Sequence, residues 1–497
     1  MNKFKSILNG AAGDSIFLVA VRFVTIFLGL VVTRIMSGHF SMHDYGTYSQ
    51  INLLATTIAS ITILGMTDGL NYFFCKEKDQ TRRDSFVSTI FSLQLILSLV
   101  ASIVVLSCAV PVAKYFKNDD VKSLMVFAVL LPFFTNVIHL LQVLFVAVGK
   151  AKGIAIRNFV VAVMRIVAIA VACYVFDSIA VMLICTVILD VLQVLYFVIG
   201  LKNGGFWVNP FKLNPGLIRE ILAYCIPMAM FVMLNSLNRD FDKYVVSAFT
   251  DTETLAIYTN ASKILPFDTV MTAFVTVLVP YITRYIAEKD FDATRKLYSS
   301  FLEIAYVSTG IMAIGAIAVA PDLMTLLYSE KYSSGLYIFI LYIVVDLLRV
   351  LGITLLLSAA GKTKTIMYVS IGTLAVKAVT SVGFFFLFGI IGPAVSTVVV
   401  TFINGIVLLY YGAKEIKTSI AKLFEWKYVL LFFGETIVGA ALVLALRQVM
   451  VSAGITYFVR LVCCYGVFCI VMLVLNFKRF FKNIKYINSC KMNIKKS

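Results

Sequence analysis

The chain is 497 residues long, 61% hydrophobic and only 14% charged, with a mean hydropathy of +0.95. That much apolar surface exceeds what one aqueous core can hide, so lipid has to be the solvent for most of it and a sizeable soluble catalytic domain is not expected. A formal net charge of +17 would suggest nucleic acid in a water-soluble protein, but the Lys/Arg bias of membrane proteins accounts for it, and no nucleic-acid partner is expected.

Taken in chain order, apolar runs long enough to cross a bilayer fall at about 15–36, 48–74, 86–112, 121–148, 156–175, 178–200, 219–247, 254–281, 299–320, 334–358, 365–388, 391–412, 427–446 and 456–476. The first follows Lys3 and Lys5 and continues past Arg22 to Ile35 without an A-x-A cleavage site, so it reads as a retained span. The expected fold is therefore all-α and integral to the membrane, with about fourteen transmembrane helices. Basic residues test the count, because they gather at the cytoplasmic ends of spans. With the N-terminus inside, the inward segments hold 29 Lys and Arg and the outward loops only 5, Lys114, Lys117, Lys122, Lys331 and Arg447. Both termini are thus expected in the cytoplasm, and the tail from Phe477 to Lys482, basic and aromatic, is expected on the anionic lipids of the inner leaflet.

An internal repeat runs through this pattern. Gly149-Lys150-Ala151-Lys152 opens the fifth span and Gly361-Lys362-Thr363-Lys364 the eleventh, and the same offset lays Arg165 on Lys377. Two pseudo-repeated six-helix lobes are expected, residues 1–210 (spans one to six) and 211–412 (spans seven to twelve). Residues 413–497 then supply two C-terminal helices and a basic cytoplasmic tail. Two parallel six-helix bundles around a cavity is a transporter architecture.

Nine basic residues lie inside spans: Arg22, Arg34, Arg165, Arg239, Lys243, Lys263, Arg349, Lys377 and Arg460. A charge at the bilayer centre costs about 2.5–3.5 kcal/mol on insertion scales, so each needs an acidic partner, a water-filled cavity or an anionic ligand. The acidic candidates for pairing, or for H+ or Na+ coupling, are Asp68, Asp190, Asp240, Asp242, Asp268 and Asp346, with Glu435 further on. Asp346 and Arg349 stand at i, i+3 and can neutralise each other. In the seventh span Arg239, Asp242 and Lys243 are expected on one face, with Asp240 pointing elsewhere. Arg22, Arg34, Arg165, Lys263 and Lys377 have no acid at i±3 or i±4, which leaves a partner from another span or an anion. A guanidinium fork suits phosphate oxygens, and Lys supplies a point charge. Nine cysteines and three histidines show neither C-x-x-C nor H-E-x-x-H spacing, so neither a metal nor another cofactor is expected.

Five segments together resemble one family. They are Arg34-x9-Asp44-Tyr45-Gly46-Thr47-Tyr48, Arg239-Asp240-x-Asp242-Lys243 ahead of Ile257-Tyr258, Ser329-Glu330-Lys331-Tyr332, Gly361-Lys362-Thr363-Lys364 and Gly389-Ile390-Ile391-Gly392-Pro393-Ala394. Their order over nearly the whole chain resembles the polysaccharide transporter branch of the multidrug/oligosaccharidyl-lipid/polysaccharide exporter superfamily. The resemblance implies a bacterial inner-membrane flippase, not an enzyme, that carries undecaprenyl-diphosphate-linked oligosaccharide for O-antigen, capsule or exopolysaccharide assembly. Membrane lipids are expected partners, and a polysaccharide polymerase is a candidate partner that the sequence alone does not assign. It also implies alternating access, with Arg22, Arg34, Arg239, Lys243, Lys263 and Lys377 lining the cavity. The competing reading is a cation-coupled multidrug exporter of the same superfamily, which would want an acidic and aromatic pocket.

Overall fold

The computed structural model describes the backbone of residues 11–206 and 208–494, and the side chains of these apart from 11–20, 22, 23, 151, 231, 269, 270, 273, 276, 277 and 488–494. Among the described residues every regular element is helical. Eleven stretches are long and apolar enough to cross a membrane, against the expected fourteen. One of them, Thr363–Glu415, contains two of the expected spans. The expected spans at 15–36 and 254–281 are absent from the eleven: the first is represented by the shorter Val24–His39, and the second is interrupted.

The described residues divide into two compact units, 1–256 and 257–497. The first begins with α1 (Ala11–His39), α2 (Met42–Thr62), α3 (Met66–Lys76), α4 (Gln80–Ser107), α5 (Ala109–Phe116) and α6 (Asp120–Ala128). It continues through α7 (Leu131–Ala147), α8 (Ala151–Tyr174), α9 (Ile179–Lys202) and α10 (Pro215–Phe249), and the unit boundary falls within α11 (Thr252–Ala261). Local chemistry sets these limits. Ser41 caps α2 by accepting from the Asp44 amide, Asp79 caps α4 through the Thr81 and Arg82 amides, and Asn214 caps α10 through Gly216. Leu64 and Gly65, both at positive φ, separate α2 from α3 within one apolar stretch. Around Phe73, Phe86, Leu140, Leu144, Phe197 and Ile221 the helices α3, α4, α7, α9 and α10 form one apolar core.

The second unit contains α12 (Thr269–Ala287), α13 (Phe291–Ala318), α14 (Ala320–Tyr328), α15 (Leu336–Leu348), α16 (Leu355–Ala359), α17 (Thr363–Phe388), α18 (Gly392–Glu415), α19 (Trp426–Ser452) and α20 (Tyr457–Ile494). Its centre is α13, whose apolar window is 78% buried where those of α19 and α20 are at most 22% buried. Tyr298, Phe301 and Leu302 of α13 meet Phe432 and Phe468 of α19 and α20 in the core. Exposed Val379, Phe386, Leu430, Leu442 and Val474 form the kind of apolar surface that only lipid can solvate.

Gly149 and Gly361, the repeated glycines, both stand at positive φ just before α8 and α17, so the repeated Gly-Lys pair starts a helix in each half of the chain. The interruption after α11 is stabilised from within the second unit. Asp346 Oδ2 accepts the free Leu265 amide at 3.0 Å, and a short 3-10 turn, Pro266–Asp268, leads into α12.

Candidate functional site

In the first unit, α2, α3, α7 and α10 enclose a cleft of about 660 Å³. Its polar lining comes from Thr56, Ser60, Thr67, Thr135, Asn136, His139, Gln142, Asn235, Ser236 and Arg239, with Ala59, Ile63, Val143 and Val232 between them. Positions 136, 139, 142 and 143 share one face of α7 by their three- and four-residue spacing, as do 232, 235, 236 and 239 on α10. Among the described residues Arg239 is the only Lys or Arg in the lining, and no carboxylate contributes to it.

Arg239 belongs to a small ion cluster. Asp240, 5% exposed, accepts Lys243 Nζ at 2.7 Å and Arg239 Nη2 at 3.0 Å. The sequence reading turned Asp240 away from Arg239 and Lys243; the structure makes it the shared partner. The i, i+3 relation of 240 to 243 places those two side chains on one face, and the long Arg239 side chain folds back to its neighbour. Asp242 is fully buried on the same helix.

Arg22 lies outside the described side chains. Arg34, half-buried on α1, keeps its Nη1 out of solvent without a hydrogen-bond partner. Arg165 is exposed on α8, near enough to Asp190 and Tyr48 to act on both electrostatically. Asp190 accepts from Gln193 Nε2 at 2.9 Å. Asp68 lines a second cavity of about 450 Å³ with Asn71, Tyr72, Cys75, Lys76 and Tyr224. There Tyr72 and Tyr224 stack with centroids 4.3 Å apart, and Lys76 lies over the Tyr72 ring.

In the second unit, Arg349 bridges Asp268 at 3.5 Å and Asp346 at 3.6 Å, beside the break that Asp346 stabilises. Lys263 is exposed just before that break, whereas Lys377 is buried in α17.

The sequence reading missed two arrangements. Arg157, at the start of the apolar run 156–175, is 9% exposed and donates to Gln193 Oε1 at 2.8 Å and Gln142 Oε1 at 2.7 Å. Asp322, placed between spans, is buried and receives both Arg447 and Arg460. Neither could be read from helical spacing, because the partners stand 15 to 138 residues apart in the chain.

A family profile described as polysaccharide biosynthesis protein matches residues 31–336. No curated protein sequence matches the chain. Among solved structures, "Lipid II flippase MurJ, inward closed conformation" superposes with a TM-score of 0.69 at 13% identity, covering 93% of this chain and 99% of that one. An inward-facing multidrug resistance MATE family transporter of the MOP superfamily gives 0.65 at 15% identity, over 81% of this chain and 98% of that one. A MOP superfamily transporter from Pyrococcus furiosus Vc1 (DSM3638), described by the reverse polarity of its binding pocket, gives 0.55 at 15% identity, over 81% and 94%. At these identities the likeness establishes the fold, which is that of MurJ and the MATE transporters.

Proposed function

The chain belongs to the polysaccharide biosynthesis protein family, and on that premise we propose that it is a flippase for an undecaprenyl-diphosphate-linked oligosaccharide repeat unit. It moves the unit from the inner to the outer leaflet of a bacterial cytoplasmic membrane by alternating access, for O-antigen, capsule or exopolysaccharide assembly. The observation that carries this reading is the cleft itself: a cavity whose described lining residues include hydroxyls, amides and an arginine and no carboxylate, in a chain that shares the fold of MurJ and the MATE transporters.

Carrying a diphosphate bare through hydrocarbon is prohibitive, and a cavity whose hydroxyls, amides and cations replace its hydration lowers that barrier. The polyprenyl tail stays in lipid. In the first unit Arg34, Arg165, Arg239 and Lys243 are the cations assigned to the head group; in the second unit, taken by itself, the candidates are Lys263 and Lys377. An inside-negative potential favours outward movement of an anion by about 2.3 kcal/mol per charge per 100 mV. Coupling to H+ or Na+, if the cycle uses it, falls to Asp68, Asp190 or Asp268 before Asp240, which already holds two cations. Both termini are assigned to the cytoplasm from the 29-to-5 partition of basic residues, and a polymerase would consume the product on the other side. A multidrug exporter for cationic compounds would want a carboxylate in the cleft, and its described lining residues include none; Asp68, with Tyr72 and Tyr224, lies in the separate smaller cavity.

The test is the sidedness of the lipid-linked oligosaccharide in cells depleted of the protein. Cytoplasmic-face accumulation that wild type relieves, and that Arg239→Ala or Lys377→Ala fails to relieve, is expected. Unchanged sidedness in a strain without a redundant flippase overturns the proposal.

A further inference from the structure

The cleft is ordered to hold something that both donates and accepts hydrogen bonds. Arg157 carries only donors, so the two amides facing it must present oxygen, Gln142 at 2.7 Å and Gln193 at 2.8 Å. Gln193 Nε2 then meets Asp190 at 2.9 Å, which fixes the far end of the chain of bonds. Gln142, whose oxygen is occupied, is left with its Nε2 as a donor in the cleft lining.

Asn136, about 9 Å before Gln142 along the α7 axis by the helical rise, is oriented by the same logic. Thr62 gives its own proton to the Ile58 carbonyl at 2.7 Å, so its oxygen can only accept, and Asn136 Nδ2 donates to it at 2.8 Å. Asn136 Oδ1 is the remaining acceptor. It is fully buried and has no hydrogen-bond partner. Such an oxygen is costly to leave without a partner, and a donor delivered to it recovers that cost.

A diphosphate offers acceptors alone and cannot satisfy Asn136. Sugar hydroxyls and N-acetyl N–H groups can, and their oxygens in turn suit Gln142 Nε2. Arg239, the one cation among the described lining residues, bonds Asp240 and Ser236 and stays half-exposed, so it is the lining group left for the head group while the amides are left for the sugars. We propose that this cleft reads the sugar part of the cargo, taking an uncharged or N-acetylated oligosaccharide, with Asn136 Oδ1 accepting from it and Gln142 Nε2 donating to it. Arg157 is a positioning residue that fixes the Gln142 amide. The assignment rests on the flippase reading, and adds that diphosphate and glycan are held by different groups.

The probe is the oligosaccharide released by mild acid from the polyprenyl lipids of cells depleted of the protein, free of both lipid and phosphate. Binding to the full chain in lipid nanodiscs is measured by calorimetry, beside inorganic pyrophosphate. The released glycan is expected to bind wild type, and Gln142→Leu or Asn136→Leu to weaken it about tenfold each, the loss of one hydrogen bond, with pyrophosphate affinity unchanged. Arg157→Gln should follow the glycan pattern and spare pyrophosphate, which a merely destabilising change would not do. Glycan that accumulates but does not bind, or binds the variants as it binds wild type, overturns the assignment. So does pyrophosphate whose affinity weakens in the variants as the glycan's does. If no lipid-linked glycan accumulates on depletion, the flippase reading itself falls, and this assignment with it.

Discussion

Arg460 and Asp322 meet through two hydrogen bonds, Nη2 to Oδ1 at 2.6 Å and Nε to Oδ1 at 3.2 Å, although 138 residues separate them in the chain. Asp322 opens α14 and Arg460 lies near the start of α20, while Arg447, close to the end of α19, donates to the other carboxylate oxygen. One buried carboxylate thus fastens the last two helices to the rest of the second unit. Its side chain is 2% exposed and those of both arginines 17%. Asp322→Ala strands two positive charges in an apolar environment, and such a break costs about 3–5 kcal/mol. We expect a large fall in the thermal midpoint in detergent and early proteolysis of the 453–456 connection. A midpoint unchanged within error would remove the clasp from the account.

Arg239 and Asp240 are neighbours with opposite expected phenotypes. The Arg239 side chain is 54% exposed, and without it Asp240 still has Lys243 at 2.7 Å. Arg239→Ala should therefore leave the amount of folded protein near wild type while translocation falls at least about tenfold, the size of one lost charge-assisted hydrogen bond. Asp240→Ala instead leaves Lys243, 20% exposed, without its carboxylate, at a cost of about 3 kcal/mol. Folded yield, read by size-exclusion chromatography, should drop first. Equal losses of yield in both variants would mean that the cluster is only structural.

Two glycines of the segments that carry the family resemblance act through packing. A Cβ on Gly392 would land on the Phe384 carbonyl, and one on Gly46 on the Thr252 carbonyl. Gly389, at positive φ, turns the chain from α17 into α18, and Thr380, Ser381 and Ser396 then hydrogen-bond across the two helices. Gly392→Ala must open this hairpin and should destabilise by about 3 kcal/mol. Gly389→Ala, with no atom near its Cβ, meets only backbone strain, about 2 kcal/mol at φ +63° and ψ −145°. Thermal midpoints of the two variants in the same detergent decide this, and the reverse order would contradict the geometry.

These glycines also mark how far the sequence could be read. Apolar runs and the Gly149 and Gly361 pair were enough for an all-helical membrane fold, because helix length and turn chemistry are local. The Arg239-Asp240-Lys243 cluster was legible as a cluster, since three of its members share one turn, but not in its pairing. Arg157 was hidden by its place at the end of an apolar run: its function there depends on Gln142 and Gln193, which only folding brings to it. Of the break after α11 the sequence shows Pro266 inside an apolar run but not the group that closes it, because Asp346, which accepts from the Leu265 amide, lies 81 residues on.

Arg34 allows stability and activity to be separated most cleanly. Its Nη1 is shielded from solvent and makes no hydrogen bond, so the fold carries a desolvation penalty of about 1–3 kcal/mol, larger for a charged group, with nothing in the described structure to offset it. A residue selected for the fold alone would be apolar at this position. Arg34→Leu keeps the volume of the aliphatic stem and removes the penalty, so the thermal midpoint should hold or rise. If the guanidinium waits for the diphosphate, translocation should fall by tenfold or more in that same stable protein, and added pyrophosphate should raise the midpoint of wild type but not of the variant. A variant that loses stability together with transport would instead mean that Arg34 supports the helix packing, and the head group would have to be held elsewhere.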